Sequence, residues 1–554
     1  MRLPMSFAQR KRATRHVAGC AVLALGIACG TPHDPARDRT LVIALAAEPV
    51  VLLPPLIAET PGFVVADQML ERLAEPDSTL DIMGDRAFRP RLAESWAWAP
   101  DSLSIAFRID ANARWHDGPP VTARDVRFTF SLYTDTAVAS PAAALLANID
   151  SVQVRAERVA VFWFHQRHAQ QFFDATYHMR ILPEHVLGAT PRASLRASAF
   201  ARAPTGSGPF RFARWMPGQL VELTADTAYR RAHLPFDRLI FTIAPEPAAA
   251  LVRALDGEID VLPYVRAADI PRVESSLTLV PLRWPSLSNG LAMLDLRDPV
   301  RRSHPHPVFG DRSVRRALTM AVDRARVASS ALGEGAVPAS GPLPMALLHA
   351  VPSELAPFDA AAAAALLDSA GWRLARGAST RHRGAIALRF ALLVPSTATA
   401  GQRAAVLIQD QLRRVGVQMD IEPIDNAALA ARLSAHRFDA ALIELDWDPS
   451  PLSARQLWGT PADASAESAN FGGYASREFD AAIKSAAAAI DSSAARSATS
   501  RAWRTLVRDA PAIWLYDLQE VAAVRRCIHP RGVRADAWWS ALSAWTIAAG
   551  CPPD

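Results

Sequence analysis

Lysine is almost missing from this chain: Lys11 and Lys484 are the only two in 554 residues, and arginine carries the rest of the positive charge. That imbalance reads as coding bias rather than as a preference for guanidinium chemistry. Cysteine is also scarce, with four residues, Cys20, Cys29, Cys527 and Cys551. None of them forms a Cys-x-x-Cys pair or sits at zinc-ligand spacing from histidine, which leaves no thiol-redox or zinc motif. His-Glu-x-x-His, the P-loop and the dinucleotide fingerprint are missing too, so metalloprotease, nucleotidase and nicotinamide-dependent readings have no support. No catalytic residue, cofactor or metal ligand is assigned, and the chain reads as a non-enzyme. His304 and His306 are the one close histidine pair, in a proline-rich loop where a surface role is expected.

An excess of one charge is likewise missing from most of the chain. The formal net charge is +5, but Arg2, Arg10, Lys11, Arg12 and Arg15 all fall in the first 28 residues, which hold no acid. The remainder is balanced, so nucleic acid is not expected as a partner. The apolar run Val17–Ala28 behind those basic residues is too short to span a membrane as a stable helix, and reads as a secretory signal. Two lipidation sites compete. Cys29 follows the apolar run and is favoured, while Val17-Ala18-Gly19-Cys20 spells the better lipobox. Outside the cytoplasm a disulfide between Cys527 and Cys551 is expected, contributing roughly 3–4 kcal/mol by loop entropy.

Half the residues are apolar and the length calls for more than one core. Leu41–Ala46 reads as a short buried strand. Alternation over Leu103, Ile105, Phe107 and Ile109 predicts a half-buried strand, and Trp115-His116-Asp117-Gly118-Pro119 predicts a tight turn before a helix capped by Thr122. A second alternating strand is expected around Val152–Phe164. Gly206-Ser207-Gly208 reads as a turn, since neither a P-loop lysine nor a nucleophile elbow follows. Asp311 and Asp359 are placed to cap helices; Arg312, Arg315 and Arg316 lie off the apolar face of the first and read as structural or solvated ion pairs. From Ile386 to Ile443 strands and helices alternate, which predicts a mostly parallel sheet whose ligand site lies beyond the strand carboxyl ends.

Several of these stretches, taken in order, resemble one family. LAESW, the strand, WHDG and T-A-x-D-V over Leu92–Phe130 are followed by Gly206-Ser207-Gly208-Pro209-Phe210 with Trp215-Met216-Pro217-Gly218. Then come Gly257-Glu258-Ile259-Asp260, DRSVRRALTMAVDR from Asp311, Phe358–Trp372 and Asp509-Ala510-Pro511. Together they resemble solute-binding protein family 5, the peptide- and nickel-binding proteins of ABC importers, of dipeptide or oligopeptide type and in lipoprotein form. The likeness runs from about Leu41 to Tyr516.

The resemblance implies an α/β, two-lobed periplasmic-binding-protein fold of type II with an extra subdomain inserted in the first lobe. The expected division is a signal peptide at 1–28, a linker at 29–39 and a first lobe at 40–283 with the insert at about 65–200. A second lobe at 284–510 and a return to the first lobe with a tail at 511–554 complete it. It also implies a monomer that closes over a peptide and delivers it to a permease with its ATPase, in the periplasm or cell envelope, held to the membrane through lipidated Cys29. Nickel chelates, oligosaccharides and opines are alternative ligands, a non-transport binding lipoprotein is another reading, and an extracytoplasmic hydrolase is disfavoured. For the site, Asp448 in Glu444-Leu445-Asp446-Trp447-Asp448-Pro449 falls where peptide-binding members hold the ligand's amino terminus. Asp446 is the equally spaced competitor and Trp447 a candidate for a cation–π contact. Thr60, in the loop after the first strand, and Phe471 and Gly472, in a motif further on, complete the expected ligand set.

Overall fold

The computed structural model describes residues 39–231, 234–348, 355–461 and 469–548. Cys20, Cys29 and Cys551 lie outside these residues. Cys527 is disulfide-bonded.

Two long antiparallel strands tie the chain together. Leu279–Leu294 pairs with Ala512–Arg525 from Leu279↔Arg525 to Met293↔Ala512, and the register slips between Pro285 and Asn289 and again between Gly290 and Leu291. Pro285 has no N–H to give to a ladder, so a break beside it is the expected place for two strands to bend. The second strand is apolar at both ends and polar in the middle, where Leu518, Gln519 and Glu520 are half-buried. Its apolar ends enter two different cores.

On one side, the end of the second strand pairs with Val261–Leu262, which lies beside Thr40–Leu45, then Arg238–Ile243 and the antiparallel strands Leu220–Ala225 and Phe210–Met216. This is the first lobe. Its insert is a separate four-stranded antiparallel sheet in the order Ala93–Trp98, Ser104–Ile109, Val159–Phe164, Ile149–Ala156. The helix Ala123–Thr134 follows the turn and opens with a Thr122/Asp125 capping box. On the other side, the start of the second crossing strand and the end of the first enter the second lobe. There Ala440–Asp446 pairs with the first crossing strand, followed by Arg389–Pro395 and Gln418–Ile424. The second lobe carries a core on each face of this sheet. One includes Val314, Leu318, Trp372 and Ile408, the other Trp458, Phe479, Trp503 and Trp514.

The expected caps are in place, Asp311 accepting from the Ser313 N–H and Asp359 from the Ala362 N–H. The parallel order expected from Ile386 to Ile443 is present, Arg389–Pro395 running parallel to both Gln418–Ile424 and Ala440–Asp446, although the sheet as a whole is mixed because both crossing strands run antiparallel to their neighbours. Three expectations change. The strand read over Val152–Phe164 is a hairpin, because Glu157 and Arg158 turn the chain between Ile149–Ala156 and Val159–Phe164. Arg315 is buried rather than solvated: its guanidinium donates to the carbonyls of Phe309, Asp509 and Ala510, closing loop ends that would otherwise keep unpaired oxygens. His306 is buried too, its Nδ1 accepting the Val308 and Phe309 N–H groups while Nε2 faces Asp439 at 3.2 Å.

The crossing itself depends on a close approach. A Cβ on Gly290 would stand 2.2 Å from the ring of Tyr516, its neighbour on the partner strand. Gly290→Ala is therefore expected to destabilise the protein by about 1–3 kcal/mol, read from urea unfolding. Unfolding midpoints unchanged from wild type would show that the ring moves aside freely.

Candidate functional site

In open α/β sheets the loops at the carboxyl ends of parallel strands frame a crevice. In the first lobe, the ends of Thr40–Leu45, Arg238–Ile243 and Val261–Leu262 frame a cavity of about 310 Å³. Thr60, Pro61, Val64, Tyr264 and Trp538 are among the residues lining it, and the wall is largely apolar. In the second lobe, the end of Ala440–Asp446 opens onto a cavity of about 170 Å³. Asp446, Trp447, Asp448, Ser453 and Gln456 line that one.

Glu520, on the second crossing strand, connects the two walls. Burial pushes its carboxyl up, the Asp446 carboxylate pushes it further, and a hydrogen bond from Ser286 opposes both. The same Glu520 raises the phenol of Tyr264, after burial the next contribution there. One acid thus feels both the first-lobe and the second-lobe wall. Glu444, two residues before Asp446 on the same face of its strand, accepts a hydrogen bond from Tyr516 at 3.0 Å. No arginine, lysine or histidine lines either cavity among the described residues.

The acids expected from the sequence fall in this place. Asp448 is exposed, and its Oδ1 accepts the Ser450 N–H at 2.6 Å. Desolvation by the surrounding wall raises its carboxyl, against the Ser450 N–H and the Ser453 hydroxyl, which favour the charged form. Asp446 is exposed as well and accepts from Ser288, its partner across the strand pair. Trp447 lines the cavity but is mostly packed inward, with its indole N–H on Asn289 Oδ1 at 3.0 Å. Thr60 stands on the opposite wall at the start of the helix Thr60–Ala66.

Phe471 and Gly472 line neither cavity themselves, although Ala469, whose carbonyl accepts the Phe471 N–H at 2.8 Å, lines the one with the acids. The Gly472 carbonyl accepts the Leu296 N–H at 2.8 Å, beyond the Leu294 end of the first crossing strand. Leu294 pairs with Ala440, whereas Ser288 pairs with Asp446, so the two residues sit at the far end of the strand that leads to the acids. Their motif is a turn, built by the buried Asn470 side chain, which donates to the Gly459 and Tyr474 carbonyls and accepts the Tyr474 N–H. His116 and the Gly-Ser-Gly are structural in the same sense. The ring accepts the Gly206 N–H and donates to the Gly208 carbonyl, and a Cβ on Gly206 would lie 2.0 Å from the Met69 carbonyl oxygen.

Sequence reading missed Glu444, Glu520, Tyr264, Trp538 and the pair Asn289/Asp517. The only available signal was polar residues in the middle of an otherwise apolar strand. Asp517 and Asn289 face each other across the crossing strands, buried at 2% and 0% exposure. The Asp517 Oδ1 and Asn289 Nδ2 both lack a partner among the described residues. Burial pushes the Asp517 carboxyl up to about 7, against N–H groups of Ser340 and Met345. No group of three or more acids, histidines or cysteines is placed to hold a metal ion, and no helix is long and apolar enough to cross a membrane, among the described residues.

Two α/β lobes, joined by paired crossing strands and opening a cleft between strand ends, define a periplasmic-binding-protein fold of type II. Residues 87–466 match the sequence profile of bacterial extracellular solute-binding proteins, family 5 Middle, and the chain belongs to that family. A Brucella ovis protein provisionally named an ABC transporter peptide-binding protein is 32% identical over 318 residues. That alignment spans 57% of this chain and 57% of the relative. The oligopeptide-binding protein AppA of Bacillus subtilis is 24% identical over 420 residues, 75% of each chain. Among solved structures, AppA in complex with a nonapeptide matches with a TM-score of 0.65 and 22% identity, covering 92% of this chain and 99% of that one. The substrate-binding protein CtaP of Listeria monocytogenes matches at 0.76 and 20%, with the same coverage. At such identities these structures show the fold.

The raised Asp517 carboxyl has a stability consequence with a definite sign. The folded chain holds this proton to about pH 7 while the unfolded chain releases it near the ordinary aspartate value of 3.8, so stability from this group is present at low pH and lost as pH rises through that window. Asp517→Asn is expected to raise the melting temperature at pH 8 while changing little at pH 4. The ceiling is roughly 4 kcal/mol. Equal shifts at both pH values, in thermal unfolding, would mean the carboxylate is not the cost.

Proposed function

We propose that this protein is the extracytoplasmic solute-binding component of an ABC importer and that it captures peptides, from dipeptides to oligopeptides. The observation that carries the reading is the cleft. The first lobe holds an apolar cavity at its strand ends, the second an acid-lined one bearing Asp446 and Asp448, and Glu520 on the strand that joins the lobes is coupled electrostatically to Asp446 of the one and Tyr264 of the other. A desolvated ammonium needs a charged acceptor, and two neighbouring carboxylates at one strand end supply it. Asp448 takes the ligand's amino terminus, with Asp446 its neighbour in that role. The apolar cavity beside Thr60, Tyr264 and Trp538 takes a side chain. Phe471 and Gly472 have no part in it. The peptide-binding names of the relatives point to the same ligand class.

The mechanism is a population shift. A ligand that touches both walls stabilises the conformation in which they are closest, and that form is presented to a membrane permease served by its ATPase. No step breaks a bond in the ligand. Lipidation at Cys29 would keep the protein beside that permease, at the membrane surface.

A thermal-shift screen of peptide pools tests the reading. A pool member at a hundredfold over its dissociation constant adds about 2.7 kcal/mol of stability. For a peptide found this way, Asp448→Asn is expected to weaken binding about ten- to a hundredfold, the worth of a hydrogen bond to a charged group. Affinity for wild type should also fall on acidification, starting above the ordinary carboxylate range because Asp448 is raised. Calorimetry that finds full affinity in Asp448→Asn, or no stabilisation by any peptide pool, would count against it.

A further inference from the structure

The insert of the first lobe does not stop at its own lobe. The strands Ala74–Pro76 and Phe88–Pro90 pair as a hairpin, and the loop between them crosses to the second lobe. On the first-lobe side that loop is braced. Asp85 accepts the indole N–H groups of Trp96 and Trp98 at 2.9 and 3.2 Å, and the Gly84 N–H donates to the Ala169 carbonyl at 2.7 Å. Asp77 accepts from the backbone and hydroxyl of Thr79, fixing the loop's first turn.

The tip faces the other way. Leu80 is 1% exposed and belongs to the second-lobe core that also holds Leu287, Trp447 and Trp503. Its φ of +55° is in the left-handed region, which a leucine adopts only where its surroundings hold it there. Next to it, Asp81 pairs with Arg496 of the helix Ser492–Asp509 at 2.7 Å. Met83 and Ala169 form a small buried cluster with Ala495 of the same helix. A fourth contact reaches the cleft: Gln170 Nε2 donates to Ser450 Oγ at 2.7 Å, and the Ser450 N–H is the one that Asp448 accepts.

These contacts join the two lobes outside the crossing strands and use four kinds of group: a strained leucine, an ion pair, an apolar cluster and a side-chain hydrogen bond. We propose that the Asp77–Ala87 loop and Gln170 form a strut from the inserted subdomain that sets the angle between the lobes and, through Ser450, positions Asp448. Gln170 and Asp81 are positioning residues and need touch no ligand. Hinge travel then requires the strut to slide or release, so the strut, together with the slipped register at Pro285–Leu291, determines how readily the cleft changes width. The consequence for Asp448 rests on the binding role proposed for the cleft, but the strut is tested without any ligand, so the two readings fail separately.

The test is single-molecule energy transfer on the whole ligand-free protein, stripped of carried-over solute by unfolding and refolding. Fluorophores are attached through unnatural amino acids replacing Val252 in the first lobe and Val406 in the second, both exposed. Wild type is expected to give one dominant narrow interlobe distance with a minor second population of a few per cent or less. Asp81→Arg or Arg496→Asp should raise the share of that second population roughly two- to fivefold over wild type, in keeping with a partly exposed ion pair. The double swap Asp81→Arg/Arg496→Asp should return the distribution toward wild type. Leu80→Ala should raise the second population at least about tenfold, as loss of a buried leucine does. If that variant does not fold, Gln170→Ala and the ion-pair variants decide. Folded variants whose distances superimpose on wild type, or a double swap that fails to restore the distribution, would overturn the strut.

Discussion

The structure depends on one pairing, the antiparallel ladder between Leu279–Leu294 and Ala512–Arg525. Each strand is a core strand twice, once in each lobe, and each must change from one hydrophobic environment to another within a few residues. Backbone hydrogen bonds hold the pair together over most of its length. Where the register slips, at Pro285 to Leu291, four side chains are small or polar, Ser286, Ser288, Asn289 and Gly290, and only Leu287 between the two ends enters a core. That is the region in which a bend has the least packing to lose. Gly290 admits the Tyr516 ring against the backbone, and the Tyr516 hydroxyl reaches Glu444 on the next strand. Hinge geometry and cleft chemistry therefore share residues.

The electrostatics of that region run against the rest of the molecule. Elsewhere a buried acid has its partner. Asp67 is held at about 2 by Arg180 and Arg72 in spite of complete burial, and Asp536 is held low by Arg534. Burial raises Asp295 and Asp174 as well, but each of these has a basic partner, Arg302 and His168. In the crossing region Glu520 is raised by burial and by Asp446, and Asp517 by burial, to about 7, with no cation beside it among the described residues. Arginine is plentiful in this chain, so the missing counter-charge is not a matter of composition. Leaving carboxylates short of partners lowers stability, and such departures from an otherwise well-paired interior concentrate where a protein must respond to something that arrives.

Much of the fold was legible because its signals are local. The Thr122 cap, the Asp311 and Asp359 caps, and the turn at Gly118 each need only a few consecutive residues to specify them. Asp446 and Asp448 were legible for a related reason: a strand followed by acids and Pro449 must end, and strand ends are where crevices form. The unread parts are non-local. Nothing near Trp447 says that Asn289, 158 residues away, binds its indole. Phe471 and Gly472 follow the acids closely in sequence, but the chain has by then returned to the opposite end of the strand. Glu520 is one acid in an apolar run, and such a residue is read as a strand edge unless the partner strand is known. Arg315 was read only as a structural or solvated ion pair because the carbonyls it closes belong to Phe309, Asp509 and Ala510, two of them far away in the chain.

The strut gives these non-local facts a common mechanical sense. A hinge made of two strands alone resists bending weakly and twisting hardly at all, since its hydrogen bonds lie in one surface. A third connection, off that surface and anchored in the second-lobe core by Leu80, removes freedom that the ladder leaves. It also links the acid wall to the insert through Gln170 and Ser450. Under the binding role proposed for the cleft, a ligand that displaces Asp448 would act on Ser450, and through it on the lobe angle, by a path that need not pass through the hinge. The insert is thus more than an extension of the first lobe. By bracing one lobe against the other, it lets a small change at one carboxylate become a change in the relation of two rigid bodies.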